Sequence, residues 1–397
     1  MNPFRRPQAR WWFMMSRFSI LGATHGDGSR PRSVGARAMG TIVSPRGVQA
    51  FVLALAWATA AWSRSPDDGV ATSAPTTVET SDIDPSEEGP GQSLESFFRD
   101  VMAASLVGPL RPDRWRPLGL DTFFSEGWNE AYAPVPDMGE SGAPRQTWID
   151  SADGAFYRLF VISFGYARGL PGNTDAYNGS YFMFTPISRR FEIGWFLPFV
   201  ESSPNLTARN PRRYATGVGD LTIAPRFLLA EDKHYTITTN LYARLPIGGV
   251  ANGNGAATLS PDLEFWANPF GRWVFRGAAG VTVPTNETRA KSAFLDLAPW
   301  SGFNASPSSF SSFDGRFAVG RHLTPADARL FPNLVISLAA NLHSQISGVG
   351  HADYFTLAPG FRFGIGNDWY FLGGLEVPLV GPVPFQTQTI FQLIKNF

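Results

Sequence analysis

From Phe156 to the last residue, Phe397, long stretches of the chain place a large apolar residue at every second position. Phe355, Leu357, Pro359, Phe361, Phe363 and Ile365 alternate with Tyr354, Thr356, Ala358, Gly360, Arg362 and Gly364. Leu221, Ile223, Phe227 and Leu229 alternate in the same way with Thr222, Ala224, Arg226 and Leu228. Leu334, Ile336, Leu338, Ala340 and Leu342 alternate with Ser337, Asn341, His343 and Gln345. Neighbouring strand side chains point to opposite faces, so a period of two describes a sheet with one greasy side and one polar side.

The pattern predicts strands over 156–166, 180–187, 191–200, 219–230, 235–246, 260–269, 272–284, 311–322, 334–346, 353–365, 369–381 and 385–397. Most are much longer than the roughly five or six residues usual in soluble proteins. They match the roughly nine to eleven that a tilted strand needs to cross a bilayer. Beyond residue 61 no apolar run is long enough for a membrane helix, and in hydrocarbon only helices and closed barrels satisfy their own backbone groups. The expected fold is therefore all-β: an antiparallel up-and-down transmembrane β-barrel of about twelve strands, placed in the cell outer membrane of a Gram-negative-type bacterium.

Connection lengths agree with that expectation along the first half. Long connections at 167–179, 201–218, 247–259 and 285–310 alternate with short ones at 188–190, 231–234 and 270–271, and 366–368 is short again. Barrels have short periplasmic turns and longer external loops. The segments 323–333, long where a short turn is due, and 382–384, short where a loop is allowed, depart from the rule. Pro198, Pro246, Pro284 and Pro378 fall near strand ends at one rim, where a missing donor bends or ends pairing. Pro225 and Pro359 fall in mid-strand within a repeated Thr-x-Ala-Pro-x-Phe unit and are expected to mark bulges.

The N-terminal part reads as an address. Residues 48–61, VQAFVLALAWATAA, form a signal-type apolar core ending in the small-x-small site Ala58-Thr59-Ala60. Residues 1–61 are thus leader and signal peptide, with Met39 as the expected true start. Residues 62–92 have the composition of a disordered linker. Residues 93–155 are expected in the periplasm: an amphipathic helix carrying Leu94, Phe97, Phe98, Val101, Met102 and Leu106 on one face, docked on the barrel or inserted as a plug, then an irregular Pro-, Gly- and Trp-rich segment. The barrel itself occupies 156–397.

Lys+Arg and Asp+Glu are equal at 33 each, which argues against a nucleic-acid partner. Cys is absent, so thiolate metal sites and Cys nucleophiles are excluded, and no metal, phosphate or other cofactor motif is found. Outer-membrane lipid, the barrel assembly machinery and a small-molecule solute are the expected partners.

Three residue groups carry the functional reading. On the polar parity lie Glu192, Arg226, Arg244, Asp262, Glu264, Arg276, Asp314, Arg316, Arg362 and Glu376. They are expected in the lumen, since an Arg at the lipid midplane costs about 2–4 kcal/mol. There they form either a salt-bridged lattice filling the barrel, the favoured reading, or a constriction that selects solutes. Trp195, Phe199, Trp273 and Trp369, with Phe275 and Phe371, are expected in the interfacial girdle. The last strand, 385–397, ends in Phe397 with Phe391 and Leu393 on its face and is similar to the closing-strand signal of outer-membrane barrels, from which Lys395 departs. No catalytic set emerges: His343 and Ser344 are adjacent on a strand and point to opposite faces.

Gly217 to Phe227, GVGDLTIAPRF, resembles a strand motif of the outer-membrane transporters linked with the meta-pathway of phenol degradation. Tyr242 to Pro246 and Ala278 to Pro284 are similar to that family's next rising strands, and the resemblance spans about 156 to 397. It implies a non-enzymatic barrel, without defined catalytic residues, that passes small hydrophobic or aromatic molecules. The alternatives are a structural or adhesive barrel whose loops 201–218 and 285–310 do the binding, and a secreted β-sandwich.

Overall fold

The computed structural model describes residues 110–136, 145, 147–149, 151–170, 174–204, 214–248, 257–285, 311–347, 353–382 and 385–397. The expected leader, linker and amphipathic helix lie outside these residues, apart from Leu110.

The strands are β1 (Leu159–Leu170), β2 (Thr174–Pro186), β3 (Phe191–Pro204), β4 (Tyr214–Gly217), β5 (Leu221–Glu231), β6 (Tyr235–Leu245), β7 (Thr258–Phe270), β8 (Trp273–Pro284), β9 (Ser312–His322), β10 (Val335–Gln345), β11 (Tyr354–Gly366), β12 (Trp369–Val380) and β13 (Thr387–Asn396). They form one antiparallel sheet, and it closes: β1 pairs with both β2 and β13, and β2 with β3. β4 and β5 continue one register against β3, from Glu201↔Gly217 to Phe191↔Phe227, so they are two pieces of a single barrel strand broken at Val218–Asp220. The result is a closed up-and-down barrel of twelve strands. Closure removes the open edge that a flat sheet would leave unpaired.

Burial follows the alternation. In β5 and β6 every even residue from Thr222 to Arg244 is buried, and the odd ones, apart from the terminal Glu231 of β5, are partly or fully exposed. The outward face is apolar: Phe164, Leu263, Ile336, Leu338, Phe361 and Phe391 are all exposed. In water such a band would be costly, whereas in a bilayer it faces acyl chains. The greasy-outside, polar-inside expectation fails along one sector, however. On β1, β2, β3, β12 and β13 the inward residues include Val161, Phe182, Phe184, Phe196, Leu372 and Ile390, all buried. Here both faces of the wall are apolar.

Two of the long connections are shorter than expected. β1 and β2 run on to Leu170 and Thr174, leaving 171–173 where 167–179 was expected, and β3 and β4 leave 205–213 of the expected 201–218. The outer strand ends lose the apolar alternation (Ala167, Gly169 and Gly179 among them) because they project past the hydrocarbon, where pairing continues without greasy side chains.

The prolines also need correction. Pro225 and Pro359 mark no bulge. Register is unchanged across both, from Ile223↔Ala243 to Arg226↔Asn240 and from Leu357↔Val377 to Gly360↔Gly374. Each proline interrupts the ladder to one neighbour and stays paired with the other, Pro225 with Ile193 and Pro359 with Leu338. A missing N–H removes a bond without demanding an extra residue. Two register shifts lie instead beside other prolines: by Pro198, between Gly179 and Ser180 of the partner strand, and by Pro378, between Phe355 and Thr356.

The chain enters and leaves at the end bearing the turns 187–190, 232–234, Gly271–Arg272 and 367–368, the periplasmic end by the rule of short turns. Asn367 and Asp368 both have positive φ, as a two-residue hairpin requires. The longer connection 323–334 also lies at this end.

Candidate functional site

The irregular segment before β1 does not remain outside the barrel. Residues 147–149 and 151–157 lie against the inner wall of the barrel, and the chain joins β1 at Leu159. The segment is built from small and apolar residues, with Trp148, Ile149, Ala152, Ala155 and Tyr157 all buried. Trp148 seats against Gly320 of β9 and Ile149 against Gly374 of β12, positions where a Cβ would come within 2.4 and 2.9 Å of those side chains. Gly154 touches the β7 backbone; a Cβ there would sit 2.4 Å from the carbonyl carbon of Phe265. Glycine is the only residue that allows this approach.

An inserted segment without regular structure leaves backbone carbonyls in search of donors. The lumen wall supplies them. Arg226 donates to the carbonyls of Asp153 and Ala155, and Thr236 to that of Gly154. Arg276 donates to the Ala152 carbonyl at 3.1 Å and the Asp153 carboxylate at 3.2 Å, and its guanidinium lies 4.6 Å from the Trp148 ring centre. The Tyr157 N–H donates to Glu192 at 2.6 Å.

Arg226 joins this segment to a wall network. It pairs with Glu192, donates to Asn240 at 3.1 Å and lies 3.5 Å from Glu264. Asn240 donates to Asp262 at 2.7 Å, and Tyr242 donates to Glu264 at 3.2 Å. Both members of the Arg226–Glu192 pair are wholly buried. Removing one charge from such a pair leaves the other uncompensated, at a cost of about 3–5 kcal/mol.

The ten inward candidates are therefore not one cluster. Glu192, Arg226, Asp262 and Glu264 share the network above, and Arg276 grips the inserted segment. Arg244 pairs at 2.8 Å with Asp220, a residue in the break between β4 and β5. Asp314 accepts from Ser312 at 3.0 Å and bonds His343 at 2.7 Å. Glu376 accepts from Thr356 and Asn341. Arg362 is buried against the Tyr370 ring, 4.1 Å from its centre. Arg316 borders a cavity of about 30 Å3, with Trp148, Ser151 and Asp153 on the inserted segment and Val161, Phe182, Phe184, Phe196 and Gln392 on the wall. That is room for roughly one water. Asp153 lies outside the periodic segments, and Tyr157 and Asp220, though within expected strands, are not among the sequence-derived site residues.

The girdle candidates face outward. Trp273 lies at the Gly271–Arg272 turn beneath Arg321, and Trp369 at the next short turn, edge-on to Phe160. Trp195 is exposed four residues into β3, and Phe199 sits at the register shift, edge-on to Phe164. In β13, Phe391 stacks on Phe371, Leu393 pairs with Ile162, and Phe397 lies by Phe160. Lys395 reaches the Asn367 carbonyl of the rim turn at 2.7 Å, which lets a cation sit at an otherwise apolar position. Ser344 donates to Asp353, away from the His343–Asp314 contact, so the two neighbours form no nucleophile–base pair. Among the described residues no group of three His, Asp or Glu side chains could hold a metal.

Residues 169–378 match the model of the family described as "Putative MetA-pathway of phenol degradation". The chain belongs to that family. This member is an outer-membrane, porin-like barrel, and its general role is that of a channel. Similar solved structures include an outer-membrane channel from Pseudomonas putida F1, 11% identical, covering 66% of this chain and 100% of that one at a TM-score of 0.44. The NanC porin is 10% identical, with 60% and 99% covered at 0.39, and the KdgM porin 6% identical, with 60% and 99% covered at 0.37. No curated protein matches the chain.

Proposed function

We propose that this family member passes small hydrophobic or aromatic molecules, and that residues 147–157 must shift for passage. The observation that carries the reading is the asymmetry of the lumen. One sector of its wall is aromatic, with Phe182 and Phe196 at 5.2 Å and Phe196 and Tyr242 at 5.7 Å between ring centres. The ionic network begins on the adjoining wall, with Glu192 on β3 and Arg226 on β5. A flat apolar solute would slide along the aromatic sector, where apolar surface is offered at no cost of desolvating charge. Polar solutes meet a network whose central groups, Arg226, Glu192 and Arg276, are already engaged with one another or with the inserted segment.

A second reading, a structural barrel with a permanently filled lumen, is favoured by the number of bonds holding 147–157. Proteoliposome uptake separates them. Purified protein loaded into vesicles should admit phenol faster than glycerol and conduct only weakly in planar bilayers. Absence of solute uptake and of current, both in the native chain and after residues 147–156 are replaced by a Gly/Ser linker, would reject the channel reading.

A further inference from the structure

Residues 118–128 fold over the periplasmic rim beside β3 and β5. Leu118 exchanges two backbone hydrogen bonds with Glu231, the end of β5, at 2.8 and 2.9 Å. Arg190, wholly buried, donates to the carbonyls of Gly119 and Glu126 and of Leu228 and Leu229. Gly127 makes the bend: its φ is +82°, and a Cβ there would lie 2.8 Å from Arg190. The segment is thus fixed to the wall, and its outer surface is fixed with it.

That outer surface is apolar. Phe124 is 92% exposed and Leu120 64%. Phe123 and Phe124 meet edge-on, and Phe123 meets Trp128 the same way. Trp128 in turn lies 6.2 Å from Phe227, which stacks at 5.3 Å on Phe191; both phenylalanines are on the lipid-facing parity of their strands. The patch is therefore continuous with the outer apolar band of the barrel. Of the charges nearby, Arg116 pairs with Glu126 and Glu130 at 2.6 Å each, and Asp121, beside Leu120, is exposed.

We propose that residues 118–128 dock on the periplasmic leaflet of the outer membrane, with Leu120 and Phe124 inserted at the acyl-chain boundary. Lipid is the occupant because the patch extends a surface that lipid already covers. An amphipathic surface of exposed aromatics with no unpaired cation beside Phe124 and Leu120 binds through apolar burial more than through headgroup charge.

The chain has no Cys, so a single introduced thiol reports one position. Full-length Phe124→Cys carrying an NBD label, with barrel formation verified by heat-modifiability, is inserted into phosphatidylethanolamine/phosphatidylglycerol vesicles. A label at Asn367→Cys, on an exposed rim turn, is the comparison. The expected result is blue-shifted emission at position 124, quenched by doxyl lipids and protected from iodide, and unchanged in zwitterionic vesicles. Emission matching position 367, with iodide quenching, would overturn the proposal. So would a blue shift that vanishes on dilution of protein in lipid, which would mean contact between copies, or one that requires anionic lipid.

Discussion

Arg226 shows what single residues do in this lumen. Its guanidinium bonds a wall carboxylate, a wall amide and two carbonyls of the inserted segment, and it lies 5.0 Å from the Phe184 ring centre. Arg226→Met keeps the length and loses every donor. Glu192 is then a buried carboxylate with only the Tyr157 N–H, so the variant should lose about 3–5 kcal/mol. Urea unfolding from vesicles measures this, and a loss under 1 kcal/mol would contradict the geometry. Arg226 was legible as an inward charge because strand parity assigns faces. Its partners Asp153 and Ala155 were not, because backbone carbonyls of an aperiodic segment leave no mark in a sequence. Gly154→Val tests the close approach from the other side. The added methyls collide with β7 backbone that cannot retreat without breaking its ladder, so 147–157 should be displaced and conductance should rise with the barrel intact.

At the scale of elements, the ring and its insert are separable. The β1–β13 ladder runs from Leu159↔Asn396 to Arg168↔Thr387 and uses no residue of 147–157. Replacing 147–156 with a Gly/Ser linker of equal length should therefore leave a heat-modifiable barrel and raise single-channel conductance several-fold. Loss of the folded band would mean that the insert is needed to close the ring. Strands were the most legible elements, since period-two alternation reports burial directly. Their outer ends were not, because beyond the hydrocarbon nothing selects for greasy side chains. Pro225 and Pro359 misled for a physical reason: in a ladder a proline costs one bond to one neighbour, whereas a bulge needs an extra residue, and composition alone does not distinguish the two. Lys395→Met is a milder element-scale test. It removes one exposed rim bond, so the stability change should stay within about 1 kcal/mol.

On the scale of the whole molecule, the lumen has two walls that ask different things of a solute. The charged wall is tied to the inserted segment through Arg226 and Arg276, and a solute that engages those two groups must first break bonds to that segment. The aromatic wall forms no such bonds and offers stacking surface. If flux follows that wall, its effect should be selective. Phe182→Ala and Phe196→Ala should each widen the lumen and raise glycerol flux, yet lower phenol flux relative to glycerol. An aromatic contact contributes about 0.5–1.5 kcal/mol, so the ratio should fall roughly two- to tenfold per substitution. The measurement belongs in the Gly/Ser-linker background, where the insert no longer limits entry. Equal increases for both solutes would show the aromatic wall to be packing that merely narrows the bore. A ratio that falls for Phe196→Ala, and not for the outward Phe391→Ala, ties selection to the inner face.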